Sequence, residues 1–234
     1  MKSTIEKIEA LIDLAEKINP TVIYNEGWMI RLLVMESRIE KLNIKGIDFE
    51  KLATKNWSSE ALITSPFVKT KKKREGYTHT DIILGDFSVN YEKRGEVNVD
   101  SSPKILGIIE AKMGSNLSQR TSNAENYNQA SRNICCLSFV TKEYPDCEIF
   151  FMLTAPEITP RIETDINQTT ILGQIKERFE LSEEEYLQNI QKQVEKCKII
   201  SISYKEWIDE IHDNKVKKKL DDFYEKCKTY NRVK

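Results

Sequence analysis

The sequence predicts an α/β (α+β) protein, with a mixed central sheet flanked by helices and extra helices toward the C-terminal end. Three observations carry that reading. Apolar runs at 78–87, 104–113 and 147–154 have the length and the Ile, Phe and Thr content of strands. Amphipathic patterns of helical period stand before and after them. The resulting order of helix, strand, strand, strand, helix, strand packs helices onto a sheet rather than against one another.

Each element follows from local chemistry. Residues 3–18 predict a helix, because Ser3 and Glu6 form a capping box and Ile5, Ile8, Leu11, Ile12 and Ala15 recur at helical spacing. Asn19-Pro20 ends it. Asn25 is a good N-cap for a second helix reaching about residue 42, with Met29, Leu32, Leu33 and Ile39 as its buried stripe. Residues 59–66 predict a further strand. After the third of the clear strands, 104–113, comes the polar loop GSNLSQRTSN, and then a helix over about 124–140. Residues 170–196 are helical, with a second capping box at Ser182 and Glu185 dividing them. KIISIS predicts a short strand, and residues 204–234 one or two terminal helices.

With 234 residues and neither an internal repeat nor a low-complexity linker, one domain is expected: a core over about 22–154, an N-terminal helix over 1–20, and a mostly helical decoration over 165–234. Formal net charge is −1, so there is no global basic bias toward nucleic acid. The five cysteines form no CxxC pair and there are two histidines, which argues against a structural zinc site and for reduced thiols. No apolar run approaches the roughly 18–20 residues that span a bilayer. The N-terminal segment lacks the continuous apolar core of a signal peptide, so a cytoplasmic location is expected.

The chemistry concentrates in THTDIILGDF and ILGIIEAKM. A strand alternates faces with period two, so Glu110 and Lys112 point the same way while Ile109 and Ala111 point the other. Asp81 joins them if its strand pairs in register. Two carboxylates and an ammonium at one end of a sheet are costly to desolvate unless a metal or an anionic substrate compensates. The pattern therefore points to metal-dependent phosphodiester chemistry.

Asp81 on the second core strand and Glu110-Ala111-Lys112 on the third resemble the motif of the PD-(D/E)xK nuclease superfamily, whose restriction-endonuclease-like fold has the core order αβββαβ. The resemblance covers about 22–154. It departs from the motif where Thr80, not proline, precedes Asp81. The resemblance implies Mg²⁺ (or Mn²⁺) held by Asp81, Glu110 and the Ala111 carbonyl, since such ions need few protein oxygens. Lys112 would handle the attacking water. Glu26 is the candidate helical acid that completes the set as catalytic residue and metal ligand, and Glu36 is its substitute. On the helix after Glu-x-Lys, Gln129 is the candidate that supports the site, with Tyr127 and Arg132 behind it.

Further candidates for nucleic-acid contact are the basic run Lys69, Lys71, Lys72, Lys73 and Arg74, together with His79, Ser115, Asn116 and Arg132. Asp86, Glu92, Glu96 and Asp100 flank a connection that reads as an exposed loop, and are taken as surface. The lysines at 215, 217, 218 and 219 read as a solvated helix face. The expected function is endonucleolytic hydrolysis of DNA, with RNA as an open alternative substrate and restriction or phage defence as the setting. A homodimer, or a partner supplying sequence recognition, is expected. The rival is a catalytically silent nucleic-acid-binding or assembly module on the same fold.

Overall fold

Ser3 and Glu6 do close a capping box: the Glu6 carboxylate accepts from Ser3 N at 2.6 Å, and Ser3 Oγ accepts from Glu6 N at 3.2 Å. The first helix, α1, runs Thr4–Ala15 and ends ahead of the predicted residue 18. Asn25 caps the second, α2 (Glu26–Glu40), by accepting from Trp28 N, and left-handed Lys41 stops it. Met29, Leu32 and Leu33 are buried as expected. Ile39 is not: it is 57% exposed, because it stands in the last turn, beyond the stripe that meets the core.

The computed structural model describes residues 3–68, 75–114, 117, 125–179, 184–231 and 233. After α2 come a small hairpin, β1 (Asn43–Ile44) and β2 (Ile47–Asp48), and the short α3 (Phe49–Ala53). There follow β3 (Asn56–Ile63), β4 (Thr78–Gly85), β5 (Phe87–Asn90), β6 (Glu96–Val99) and β7 (Ile105–Ala111). The remainder is α4 (Gln129–Val140), β8 (Glu148–Ala155), α5 (Pro160–Ile166), α6 (Gln168–Phe179), α7 (Glu184–Lys196), β9 (Lys198–Ser203), α8 (Tyr204–Asp209) and α9 (Asn214–Tyr230).

A seven-stranded mixed sheet in the order β5-β6-β3-β4-β7-β8-β9 organises the molecule. β4 pairs antiparallel with both β3 and β7, while β8 and β9 add in parallel beyond β7. Each face buries its own apolar cluster. Residues of α1, α2, α8 and α9 cover one face, joined by Ile82, Ile109, Ala111 and Met152. Residues of α4, α6 and α7 cover the other with Ile83, Ile108, Phe151 and Leu153. The alternation along β4 and β7 is the period-two rule expressed on both faces. The terminal helices thus share a core with α1 and α2, anchored by Trp207 and Phe223.

The connection between β4 and β7 corrects the expectation of an exposed loop. It forms the β5–β6 hairpin, which buries Phe87 and Val97 and extends the sheet beyond β3. Nor is Asp86 a surface acid. Its Oδ2 accepts from Lys104 N at 2.8 Å and Ile105 N at 3.2 Å, and Lys55 Nζ lies 2.6 Å from Oδ1. Burial opposes the charge, but the Lys55 contact and the two amides outweigh it and lower its pKa. Glu96 is likewise tied in, accepting from Tyr77 Oη at 3.0 Å. Asp86→Ala should cost about 2 kcal/mol of stability, because the charge-assisted bonds to the Lys104 and Ile105 amides and the Lys55 contact are lost. Urea denaturation checks this, and a change within 0.5 kcal/mol, the usual size of a surface substitution, would restore the surface reading.

Asn128 caps α4 by accepting from Ser131 N, so that helix starts at Gln129 rather than near 124. Ser182 lies outside the described residues. All five cysteines are free and buried, and burial raises their thiols, which makes them poor nucleophiles. Among the described residues no helix is long and apolar enough to cross a membrane.

Candidate active site at the β4–β7 sheet end

The β4–β7 ladder runs from Gly85↔Leu106 to Ile82↔Ile109 and stops there. One step further, Asp81 comes opposite Glu110, but the strands no longer exchange backbone bonds. Beyond that point the backbone N–H groups of the departing β7 segment need other acceptors. Asp81 Oδ2 takes Ala111 N at 2.7 Å and Glu26 Oε2 takes Met113 N at 2.8 Å. Between them, Lys112 N donates to Thr154 O on β8 at 2.9 Å. Carboxylates from a strand and from the first turn of α2 thus replace the missing ladder. Each keeps a second oxygen, Asp81 Oδ1 and Glu26 Oε1, with no hydrogen-bond partner among the described residues.

Glu110 points to the α4 face, as strand parity required. Its side chain is 1% exposed. Oε1 receives Lys112 Nζ at 2.6 Å and Gln129 Nε2 at 2.5 Å, and Oε2 receives Asn133 Nδ2 at 2.8 Å. Asn133 Oδ1 in turn accepts from Thr78 Oγ1 at 3.3 Å. Despite these donors the Glu110 carboxyl is pushed up to about 7, first by burial and then by the negative charge of Asp81. Burial also raises Glu26, more than its Met113 bond and Lys112 lower it. For Lys112, burial opposes the charged form, but Glu110, Asp81 and Glu26 together outweigh it and raise its pKa. Among the described residues three carboxylates share one ammonium, and burial first, with mutual carboxylate repulsion behind it, raises Glu110 and Glu26.

Among the described residues, no group of three or more His, Cys, Asp or Glu stands close enough to hold a metal ion as arranged. The donor chemistry nonetheless fits a hard divalent cation: the groups are all oxygens, and among the described residues their charge is under-compensated and two carboxylate oxygens lack partners. Ala111 contributes its amide to Asp81, and its side chain is fully buried.

The structure brings together Asp81, Glu110, Lys112, Glu26 and Gln129. Glu36 is not among them. It lies almost three turns along α2, roughly 15 Å from Glu26. It is buried there, with its carboxyl raised by burial and by Glu40 and Asp213. Tyr127 is a core residue, 1% exposed and edge-on to Phe67. Arg132 faces away from Glu110, donating to Tyr77 O at 3.2 Å and pairing with Glu75 at 3.7 Å. His79 is exposed on β4. Lys69, Lys71, Lys72, Lys73, Arg74, Ser115 and Asn116 lie outside the described residues.

Asn133 is a Glu110 contact outside the site residues chosen from the sequence. Its signal was the i, i+4 spacing from Gln129, which puts both amides on one helix face. A second omission is Glu60. Ser59↔Ile82 and Ala61↔Thr80 leave it opposite Asp81, in a left-handed conformation (φ 57°) inside a strand. No propensity rule anticipates that. Comparison of the chain with protein-family models, with curated proteins and with solved structures returned no match, so residue geometry alone carries the functional reading.

Proposed function

We propose that this protein is a Mg²⁺- or Mn²⁺-dependent endonuclease that hydrolyses DNA phosphodiester bonds on a restriction-endonuclease-like αβββαβ core of the PD-(D/E)xK kind. The core elements would be α2, β3, β4, β7, α4 and β8, with the β5–β6 hairpin inserted between the second and third strands. One observation carries the reading: Asp81, Glu110 and Glu26 converge on one sheet end near the Lys112 ammonium, and among the described residues there negative charge is in excess.

Asp81, Glu110, Glu26 and the Ala111 carbonyl are the residues that would hold the ion. Bound there, the cation would neutralise phosphoryl charge and acidify the attacking water. The protein's own groups do the rest. Gln129 and Asn133 fix the orientation of Glu110 from α4. Lys112 is the cluster's ammonium, and would meet the negative charge that grows on the phosphate as water attacks and the leaving oxygen departs. Asp81 and Glu26 hold the backbone that carries Ala111 and Lys112, so the scaffold for the reacting groups is set before substrate arrives. Cutting both strands of a duplex with one such site per chain would call for a homodimer or successive nicks.

The test is a cleavage assay on supercoiled, linear, single-stranded and branched DNA with Mg²⁺, Mn²⁺ or EDTA. Cutting is expected with either metal and none in EDTA, with a loss of at least about 100-fold in Asp81→Asn. Cutting that persists in EDTA would contradict the metal dependence, and none on any substrate would contradict the proposal and favour the silent binding module.

A further inference from the structure

Arg31 occupies a place that its own helix disfavours. Its guanidinium folds back over the first turn of α2: a Cβ on Gly27 would lie 3.0 Å from Arg31 Nη1 and 3.3 Å from Asn25 Oδ1. The absence of a side chain at Gly27 is what admits it. This is the positive end of the helix dipole, where a cation is unfavourable and an anion welcome. Two contacts hold it. The guanidinium lies over the Trp28 ring, 5.2 Å from its centroid, and Nη2 is 3.5 Å from Glu60 Oε1. That ion pair is a weak anchor, because the Glu60 side chain is 58% exposed and the pair is solvent-screened.

The location is as telling as the strain. Glu26, a member of the cluster, precedes Gly27 in the same helical turn, and Glu60 sits opposite Asp81 on β3 with the left-handed backbone described above. Glu60 also raises the Glu26 carboxyl through its charge, which sets it beside the same centre. Among the described residues, a cation is therefore held beside an acidic site, over a helix N-terminus, by the Trp28 ring and a displaceable carboxylate.

Building on the endonuclease reading above, we infer that Arg31 binds a backbone phosphate of the nucleic acid next to the scissile bond, and that this phosphate displaces Glu60 from the guanidinium. A planar guanidinium suits a phosphate, which it meets with two parallel bonds, and the helix N-terminus adds to the same attraction. Glu60 holds the guanidinium open for substrate in the free protein. Its carboxylate then competes with the phosphate for Arg31.

The two residues accordingly predict opposite effects. With Mn²⁺ and a duplex substrate, Arg31→Ala should raise KM about tenfold with kcat within about twofold. It should also flatten the dependence of log KM on log salt by roughly one phosphate contact. Arg31→Lys should recover part of the affinity. Glu60→Gln should lower KM about two- to threefold, since the competitor is gone. A purely structural Arg31–Glu60 pair would move both variants in the same direction or neither, and either result would overturn the inference. Wild-type cutting with an unaltered Arg31→Ala KM would sink this inference alone. A wild type that neither cuts nor binds DNA by fluorescence anisotropy would remove the endonuclease reading, and this inference with it.

Discussion

Lys112→Ala should lower the single-turnover cleavage rate by about 10³-fold while leaving divalent-metal affinity within about threefold. The Lys112 side chain is 12% exposed, and its ammonium lies 2.6 Å from the carboxylate of Glu110, whose side chain is 1% exposed. Its positive charge is thus delivered into a space where water screens little, and there it would act on the charge developing at phosphorus. Removing it also deprives Glu110 of a lowering influence, so the Glu110 carboxyl should move above its present value of about 7. Rapid-quench kinetics measures the rate and carboxyl ¹³C NMR the titration. A rate within threefold of wild type would exclude Lys112 from the chemistry.

The second large effect concerns pH and the metal-free protein. Glu110 has a folded pKa of about 7 against an ordinary value of 4.5. Between those values the native state binds the proton more tightly than the unfolded chain, so the stability associated with that proton is complete below about pH 4.5 and is lost as pH rises through about 7. The size is on the order of 3 kcal/mol. Glu26 and Glu36, also raised mainly by burial, act in the same direction. Urea denaturation in EDTA should therefore find the wild type weaker at pH 8 than at pH 5. In Glu110→Gln, which has no proton to lose, the difference should shrink by most of that amount. Equal pH dependence in the two proteins would show that the Glu110 carboxyl does not titrate in this window. Adding Mg²⁺ at pH 8 should restore stability to the wild type, because a cation replaces the missing proton as the compensating charge.

Local rules carried the strands and helices well wherever the signal was local. Capping chemistry at Ser3 and Asn25 and the apolar runs at 78–87 and 104–113 marked elements near their true limits. Strand parity alone put Glu110 and Lys112 on one side, and their contact follows from it. What escaped depended on partners distant in sequence. The β5–β6 hairpin read as a loop because its polar residues outnumber Phe87 and Val97, and burial against β3 decides it. Asp86 looked like a surface acid because its partners, Lys55, Lys104 and Ile105, come from other strands and loops. Glu36 matched Glu26 in facing the core, yet helical rise carries it to the far end of the helix. Gln129 meets Glu110, and Asn133 one turn later binds the same carboxylate. Glu60 and Arg31 were invisible because their roles come from a backbone conformation and from a side chain folding over a glycine.

The central claim is that Asp81, Glu110 and Glu26 form a divalent-metal site, and the metal itself tests it most directly. Mn²⁺ binding, followed by calorimetry and by the loss of the free-ion EPR signal, should show saturable uptake at one or two sites per chain. That uptake should be abolished in Asp81→Asn and in Glu110→Gln, with both variants folded by circular dichroism. Absence of saturable binding to the wild type, or binding that survives both substitutions, would contradict the account.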